Sequence, residues 1–370
     1  PHALTTLPEL LRSAGYATWN VGKWHLGGLT SGPTAHGFDV NIAGSHTGHP
    51  ATFFYPYGND QNHSHRVQPL DGGKPGEYLT DRLTDEAIRL LEQKDDRPFF
   101  LMLSHYTVHM PLEAKAEDFA KYEALVGEDF PKRRATYAAM VDNLDQNMGR
   151  LMQALQRAGL DHSTLVLITS DNGGLHDLTD NRPLRMGKGY VYEGGVRVPL
   201  LARWPGTIAA GRVADGPVIS TDYYATLADL AGAKTPKGQP QDGRSFASLL
   251  TGGGARPKER VLGWHYPHYH TADRPPCSAL RVGEWKLIRW YETKKEELYN
   301  LAQDPGESQN VARQEPARTQ QMSRQLDAWL KDQGAKFAQP NPNFKPGQVA
   351  SERPQVVLGE CSCRLSVYRD

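Results

Sequence analysis

Apolar runs alternate with amphipathic stretches along the first half of the chain. Residues 99–103 and 165–169 form short apolar runs, which are typical of strands buried on both faces of a parallel sheet. Helical spacing of apolar residues marks a segment from about residue 80 and a second segment over 136–158, where Gly159 stands at the expected C-cap. This alternation predicts a mostly parallel sheet sandwiched by helices.

The start of the chain predicts regular secondary structure, whereas the segment after it does not. Residues 2–26 predict a short helix that ends at Gly15 and is followed by a strand. Residues 27–78 are rich in Gly, Pro, His and Asn and show little periodicity, which predicts long irregular loops. Loops of that length in a compact domain are usually functional. A further strand is expected over 198–203.

The second half of the chain has another character. Pro, Gly and Gln accumulate between Gly232 and Gly243, and later strands such as 285–290 alternate apolar and polar residues. A small antiparallel sheet with a closing helix over 316–331 is the natural interpretation. We therefore expect a large α/β domain over 1–243, a small antiparallel subdomain over 244–338 and an irregular tail over 339–370.

Composition narrows the classes of function. The 370 residues balance 42 basic against 42 acidic side chains, so no global field indicates nucleic acid or a membrane surface as a partner. No apolar stretch approaches the roughly 20 residues of a membrane span. Three cysteines, Cys277, Cys361 and Cys363, are too few for a disulfide scaffold and lack metal-binding spacing. Any affinity for anions must therefore be local.

A carboxylate and an amide follow the apolar run at 165–169. Asp171 and Asn172 precede two glycines at the expected carboxyl end of a strand, where ligand sites of open α/β sheets gather. Their oxygens are hard ligands suited to Ca²⁺ or Mg²⁺. An Asx turn that only ends the strand explains the same residues.

Two further side chains stand in comparable loops. His109 follows the run at 99–103, and Lys188 lies between two glycines on the approach to the strand at 198–203. A lysine ammonium can neutralise a tetrahedral oxyanion, and glycine flanks allow close backbone approach. Taken singly, an ordinary loop histidine and a solvated surface lysine remain alternatives.

Two segments connect these residues to a known family. Lys23 and His25 stand two apart in a Gly-bounded stretch at 15–27, and residues 193–199 read Glu-Gly-Gly-Val-Arg-Val-Pro. With the three sites above, they resemble the sulfatase family in residue type, order and separation over residues 1–331. The resemblance implies an alkaline-phosphatase-like fold and hydrolysis of sulfate monoesters on sugars or aryl alcohols. It also implies a periplasmic or secreted protein.

The resemblance implies a role for each charged group around the sulfate. Asp171 and Asn172 would hold a divalent ion, usually calcium, with magnesium as the other candidate. Lys23 and Lys188 would neutralise the sulfate oxygens, and Lys188 would also lie near the bridging oxygen. Because the sulfate is already anionic, attack on it requires cations around it.

The two histidines would handle protons. By the same resemblance, His109 would protonate the leaving group as general acid, and His25 would help to eliminate sulfate from the covalent intermediate. An alkoxide is a poor leaving group, so the reaction needs such a proton donor.

The nucleophile of the family is not found among these residues. Sulfatases build it when a formylglycine-generating enzyme oxidises a Cys or Ser in a Cys/Ser-x-Pro-x-Arg motif. The nearest match, Cys277 to Arg281, is a relaxed Cys-x-Ala-x-Arg form inside the expected small sheet, which makes it a poor candidate. We therefore expect an N-terminally truncated sulfatase that does not turn over as it stands. Either a longer chain carries the formylglycine upstream, or the gene itself is truncated.

Aromatic and histidine residues over 264–270 hint at the substrate. His265 and His268 would suit a sugar ring and its sulfate, which favours a sulfated carbohydrate. A packed aromatic edge of the small sheet is the alternative.

Other functions compete with this interpretation. The nearest is a phosphate or phosphonate monoester hydrolase of the same superfamily, although a lysine pair is typical of single-metal sulfate sites. A non-catalytic remnant that binds sulfated glycans is a second alternative. A lectin-like module would not need the metal, histidine and lysine residues together.

Overall fold

A computed structural model describes residues 3–58, 67, 70, 72–127, 130–252, 260–269, 274–339 and 342. The strands in this part of the chain are β1 (Ala17–Gly22), β2 (Val40–Ile42), β3 (Phe99–Ser104), β4 (Val166–Thr169), β5 (Leu200–Arg203), β6 (Val261–Tyr266), β7 (Cys277–Val282), β8 (Trp285–Trp290) and β9 (Lys295–Asn300). The helices are α1 (Leu7–Ser13), α2 (Leu79–Glu92), α3 (Ala116–Glu123), α4 (Lys132–Arg157), α5 (Glu193–Val196), α6 (Asp222–Leu230), α7 (Ala247–Thr251) and α8 (Pro316–Asp332).

The parallel sheet has β1 at its centre. Its order is β2-β1-β3, and Trp19 lies opposite Val40 on one side and Leu101 on the other. All six residues of β1 are buried, as expected for a central strand covered on both faces. The main hydrophobic core joins this sheet to α2 and α4. The mixed α/β fold with a parallel sheet is therefore confirmed.

The strands β4 and β5 depart from a wholly parallel arrangement. They pair antiparallel in a two-stranded sheet, with Thr169 opposite Leu200. Residues 170–199 leave the end of β4 and return to the adjacent start of β5. Within this connection the Gly173 N–H donates to the Gly195 carbonyl at 3.0 Å. Because the only helix within that connection is the four-residue α5, no crossover carries the chain to the opposite edge.

The C-terminal sheet matches the expectation closely. Strands β6-β7-β8-β9 form an antiparallel meander, and β8 spans the predicted 285–290. Helix α8 covers one face, where Leu326 and Leu330 pack on Leu280, Leu287 and Leu298. The predicted closing helix is confirmed and runs one residue further, to Asp332.

A buried ion-pair cluster ties this sheet to α5. Lys286 on β8 is fully buried, and its Nζ lies 2.9 Å from Glu193 Oε1 and 2.9 Å from Glu307 Oε1. Arg281 approaches the other oxygen of Glu193 at 3.6 Å. The C-terminal sheet is thus fastened to the segment that follows Lys188.

Across the described ranges, none of the helices is long and apolar enough to cross a membrane.

Candidate active site

Lys23 and His25 emerge from the carboxyl end of β1. Gly22 precedes them with φ +96°, and a Cβ there would lie 2.1 Å from the Ser104 carbonyl oxygen, so only glycine fits this contact. The Lys23 N–H donates to that same carbonyl at 2.7 Å. His25 has a left-handed φ of +54° and donates its N–H to the Ser45 carbonyl at 2.9 Å. The end of β1 therefore fixes where both side chains begin.

His109 lies in the loop after β3. Its Nδ1 lies 3.1 Å from the Met110 carbonyl oxygen, which can only accept, so Nδ1 carries the proton and Nε2 is the nitrogen that can exchange one. Burial lowers the pKa of His109 to about 4, and the charges of Lys188 and Lys23 add to this effect while the Met110 hydrogen bond opposes it. The imidazole is therefore neutral at pH 7 until an anion arrives.

Asp171 and Asn172 follow β4 at the surface. The Asn172 amide nitrogen donates to Asp171 Oδ1, which leaves Asp171 Oδ2 and Asn172 Oδ1 as acceptors. A Cβ at Gly173 would lie 1.7 Å from the Gly194 carbonyl oxygen, so this turn packs directly on α5.

The donors fit a divalent cation in type but not in number. A carboxylate and an amide oxygen are ligands for calcium or magnesium, yet Ca²⁺ takes about 6–8 oxygens. Within the described residues no group of three or more His, Cys, Asp or Glu side chains could hold a metal ion. Asp171 and Asn172 alone supply too few ligands for either ion, and metal binding at this turn stays a prediction.

Lys188 faces this turn. Its N–H donates to the Gly174 carbonyl at 3.0 Å, which holds it beside the residues that follow Asn172. Burial lowers the pKa of the Lys188 ammonium, Asp171 counteracts the shift, and Lys23 and Arg274 add to it. Lys188 therefore lies within electrostatic reach of the end of β1 and the end of β4.

The effects of these side chains on one another's pKa show that the predicted residues lie close together. Lys23 and Lys188 both act on His109, and Lys23 also acts on His25, whose pKa is lowered first by burial. Two lysines and two imidazoles thus gather at the carboxyl ends of three strands, with the carboxylate of Asp171 beside them. Such a cluster can bind a tetrahedral anion and exchange a proton with it.

The sequence did not single out three further residues here. Gly48 and His49 contact the two site histidines, and the Arg274 guanidinium stacks 4.9 Å from the Tyr190 ring centroid, two residues after Lys188. The signal for the first two was the Gly- and His-rich loop stretch over 27–78. Arg274 carried no local signal because its neighbours on the site come from a distant part of the chain.

The two histidines of the C-terminal sheet have other contacts. His265 Nδ1 lies 2.7 Å from Ser278 Oγ, and its Nε2 lies 2.8 Å from the Lys336 carbonyl oxygen. The exposed His268 packs against the Tyr266 ring at 4.3 Å between centroids. Both ring nitrogens of His265 are thus engaged, and substrate binding by either histidine stays a prediction.

Cys277 lies in β7, inside the C-terminal sheet. It is buried, and burial raises the pKa of its thiol to about 12. The thiol is protonated at neutral pH and is a poor nucleophile. Cys361 and Cys363 lie outside the described residues.

Comparison with known proteins identifies the relatives of this chain. The sulfatase family profile matches residues 1–233, and the profile described as N-sulphoglucosamine sulphohydrolase, C-terminal, matches residues 185–336. A sulfatase from Formosa agariphila is 34% identical over 87% of this chain and 69% of its own length. Mouse N-acetylgalactosamine-6-sulfatase is 29% identical, over 84% of this chain and 59% of its own length.

A solved structure supports the same relationship. Ps i-CgsB in complex with k-i-k-neocarrahexaose superposes with a TM-score of 0.77 at 30% identity. The match covers 92% of this chain and 77% of that protein.

Proposed function

The chain belongs to the sulfatase family and has its alkaline-phosphatase-like α/β fold, and on that premise we propose that it hydrolyses sulfate monoesters on a carbohydrate. The observation that carries the proposal is the gathering of Lys23, Lys188, His25 and His109 beside Asp171. A sulfate ester places a negative tetrahedral group where these side chains meet.

Each side chain has a task in that reaction. Lys23 and Lys188 bind the sulfate oxygens and stabilise the charge that grows as sulfur is attacked. When the bond between sulfur and the alcohol oxygen breaks, His109 Nε2 gives its proton to that oxygen. The bound sulfate raises the pKa of His109, because a nearby anion favours the imidazolium. His25 assists the release of sulfate.

Asp171 and Asn172 would hold the divalent ion, calcium or else magnesium. When bound, such an ion stabilises negative charge on the sulfate oxygens. Asp171 acts electrostatically on Lys188, so the residues that would hold the ion and the ammonium would act on the same bound sulfate.

The proposal assigns the nucleophile to none of these 370 residues, which contain no Cys/Ser-x-Pro-x-Arg motif. We propose that it is a formylglycine made by a formylglycine-generating enzyme, and that the 370-residue chain alone binds the ester without turning it over. Peptide mass spectrometry of the protein from its natural source tests this. A formylglycine in a peptide outside the present sequence supports the assignment, and sulfate release by the 370-residue chain alone contradicts it.

A sulfated carbohydrate is the proposed substrate class, with aryl sulfates as simpler substrates. One relative is named for a sulfated amino sugar, and the structural neighbour holds a neocarrahexaose. In this chain, the half-buried Tyr190 ring lies two residues from Lys188, and the Arg274 guanidinium lies over that ring, 4.9 Å from its centroid. Aromatic faces suit sugar rings, and a further cation suits an anionic saccharide.

A phosphate or phosphonate monoester hydrolase is the second candidate. Enzymes of that kind with two metals need additional His and Asp ligands, and the described part of the chain offers no such cluster. Paired kinetics on the sulfate and phosphate esters of one alcohol, with the protein from its natural source, decide between the two. We expect a higher kcat/KM for the sulfate ester; a preference for phosphate supports the second candidate. Binding without turnover of either ester supports a non-catalytic, glycan-binding remnant.

A further inference from the structure

The loop after β2 touches the backbone and the ring of His25. The Ser45 carbonyl accepts the His25 N–H at 2.9 Å. Gly48 lies directly against the imidazole, because a Cβ built there would be 2.5 Å from Cε1, 2.7 Å from Nδ1 and 2.9 Å from Nε2 of His25. No side chain fits between them, so the absence of a Cβ at Gly48 sets how His25 can lie.

The same loop reaches His109 through His49. The two imidazole rings are stacked, with centroids 5.3 Å apart and planes within 3°. Each ring has its Nδ1 3.1 Å from the carbonyl oxygen of the residue that follows, Pro50 for His49 and Met110 for His109. Both rings therefore carry the proton on Nδ1 and hold the same tautomer.

This loop is anchored on the parallel sheet. Asn20 on β1 donates to Asn41 Oδ1 at 2.9 Å, and Asn41 donates in turn to the Gly44 carbonyl at 2.9 Å. From the end of β3, the Tyr106 hydroxyl donates to the Ala43 carbonyl at 3.0 Å. The three strands of the sheet thus fix the place where the loop begins.

We propose that residues 45–49 form a histidine platform that positions His25 and His109 for reaction with the bound ester. Gly48 provides the surface on which His25 rests, and His49 holds the plane of the His109 ring. Gly48 and His49 are positioning residues, and their role rests on the proposed function in so far as the two histidines act on a sulfate ester.

Charge supports a role beyond packing. His46 and His49 of the platform lie close enough to His25 to add to the lowering of its pKa, together with Lys23 and after the larger effect of burial. Basic groups gathered in this way repel one another once protonated, unless an anion lies among them. The platform therefore suits a site that is filled by an anion.

The first test replaces Gly48 with alanine. His25 is exposed, so its ring can swing aside to admit the new Cβ without unfolding the chain. We expect Gly48→Ala to shift the His25 cross-peak in carbon–proton spectra of histidine-labelled protein, with peaks assigned from His25→Gln and His109→Gln variants. The control is Gly28→Ala, where a Cβ meets nothing within 4 Å, and it should leave that peak in place.

The second test separates stacking from the imidazole chemistry of His49. His49→Ala removes the stacked ring and should shift the His109 cross-peak, whereas His49→Phe keeps an aromatic ring and should restore the wild-type shift. If the His109 cross-peak moves equally in both variants, the imidazole of His49 and not its stacking is what counts, and the assigned role of the stacked ring is wrong.

Binding of N-acetylgalactosamine 6-sulfate and of k-i-k-neocarrahexaose by the full chain completes the test. We expect Gly48→Ala and His49→Ala to weaken the binding of whichever probe binds by about tenfold, and His49→Phe to stay within about twofold of wild type. Unchanged His25 and His109 peaks in Gly48→Ala and His49→Ala would overturn the platform. If wild type binds neither saccharide, the proposed function fails, and the spectra still decide whether the loop positions the histidines.

Discussion

At the scale of single residues, the protonation of His109 decides whether the site can deliver a proton. Burial and two lysines lower its pKa to about 4, so the ring is neutral in the ligand-free protein at pH 7. A general acid must be protonated when the bond to the leaving group breaks. The bound sulfate must therefore raise the protonated fraction of the imidazole that is to donate the proton.

A titration tests this coupling. Inorganic sulfate at saturation should raise the pKa of His109 by about one to two units, because an anion close to an imidazole favours its charged form. Histidine-labelled protein in nuclear magnetic resonance titrations, with and without sulfate, gives both values. Lys188→Met should raise the pKa in the absence of sulfate, since it removes a neighbouring positive charge. A pKa that ignores both sulfate and Lys188 would contradict the assigned arrangement.

The sequence allows residues that belong to strong motifs to be predicted. It does not allow the contacts between them to be predicted. Lys23, His25, Asp171 and Lys188 are predicted from their resemblance to sulfatase motifs, and the effects of charge on pKa place them near His109. Gly48 could not be predicted from the sequence, because its proposed role depends on the absence of a Cβ where it meets the His25 ring, 23 residues earlier in the chain. Such a contact depends on how two loops cross, which no local pattern records.

At the scale of elements, close packing fixes α8 on the C-terminal sheet. Gly263 on β6 faces the Trp329 indole, and a Cβ there would lie 2.4 Å from Cε2 and Cζ2. Trp329 lies on α8 and is partly buried against the core between this helix and the sheet, so a Cβ at residue 263 would displace a packed ring.

Two glycine substitutions should therefore act in opposite directions. Gly263→Ala should lower the free energy of unfolding by about 1–3 kcal/mol through overpacking. Gly149→Ala, on the exposed face of α4 where a Cβ meets nothing within 4 Å, should raise it by about 0.5–1 kcal/mol because alanine favours the helix. Denaturant unfolding measures both, and a neutral Gly263→Ala would contradict the tight contact.

The periodicity of apolar residues predicted most helices and strands. It did not predict the direction of β5, which depends on how the chain connects it to β4. The alternating segment 285–290 and the closing helix expected over 316–331 match β8 and α8 to within one residue. The direction of β5 was not predictable, because a short apolar run looks the same in parallel and antiparallel pairs. What decides it is that residues 170–199 turn back at one edge, through contacts between Gly173 and Gly194 that depend on the folded loop.

At the scale of the whole molecule, one buried lysine joins the C-terminal sheet to the site-bearing segment. Lys286 pairs with Glu193 of α5 and with Glu307, and all three side chains are almost completely buried. Burial raises the pKa of Glu307, and the charge of Lys286 opposes that shift. The buried Glu307 carboxylate therefore depends on the charge of Lys286 to remain ionised inside the protein.

Removing that charge should cost stability and loosen the site. Lys286→Met removes the ammonium that lies 2.9 Å from both buried carboxylates, with only Arg281 left 3.6 Å from Glu193, and should lower the free energy of unfolding by about 3–5 kcal/mol. Lys295→Met, on the exposed end of β9, is the matched control and should change it by less than about 0.5 kcal/mol. Adding Glu193→Gln and Glu307→Gln to Lys286→Met should recover part of the loss. Equal free energies of unfolding for Lys286→Met and Lys295→Met would show that the buried ion pairs do not fasten the C-terminal sheet to α5.

The most direct test of the sulfate-ester site is calorimetric binding of the two saccharides, N-acetylgalactosamine 6-sulfate and k-i-k-neocarrahexaose, to the full chain and its Lys188→Met variant. We predict that at least one saccharide binds wild type, that its desulfated form does not, and that Lys188→Met weakens binding by about 2 kcal/mol through loss of a charge-assisted contact. The exposed Lys331→Met serves as control and should bind as wild type does. Equal binding of the sulfated and desulfated saccharide, or unchanged binding in Lys188→Met, would contradict the proposed sulfate-ester site.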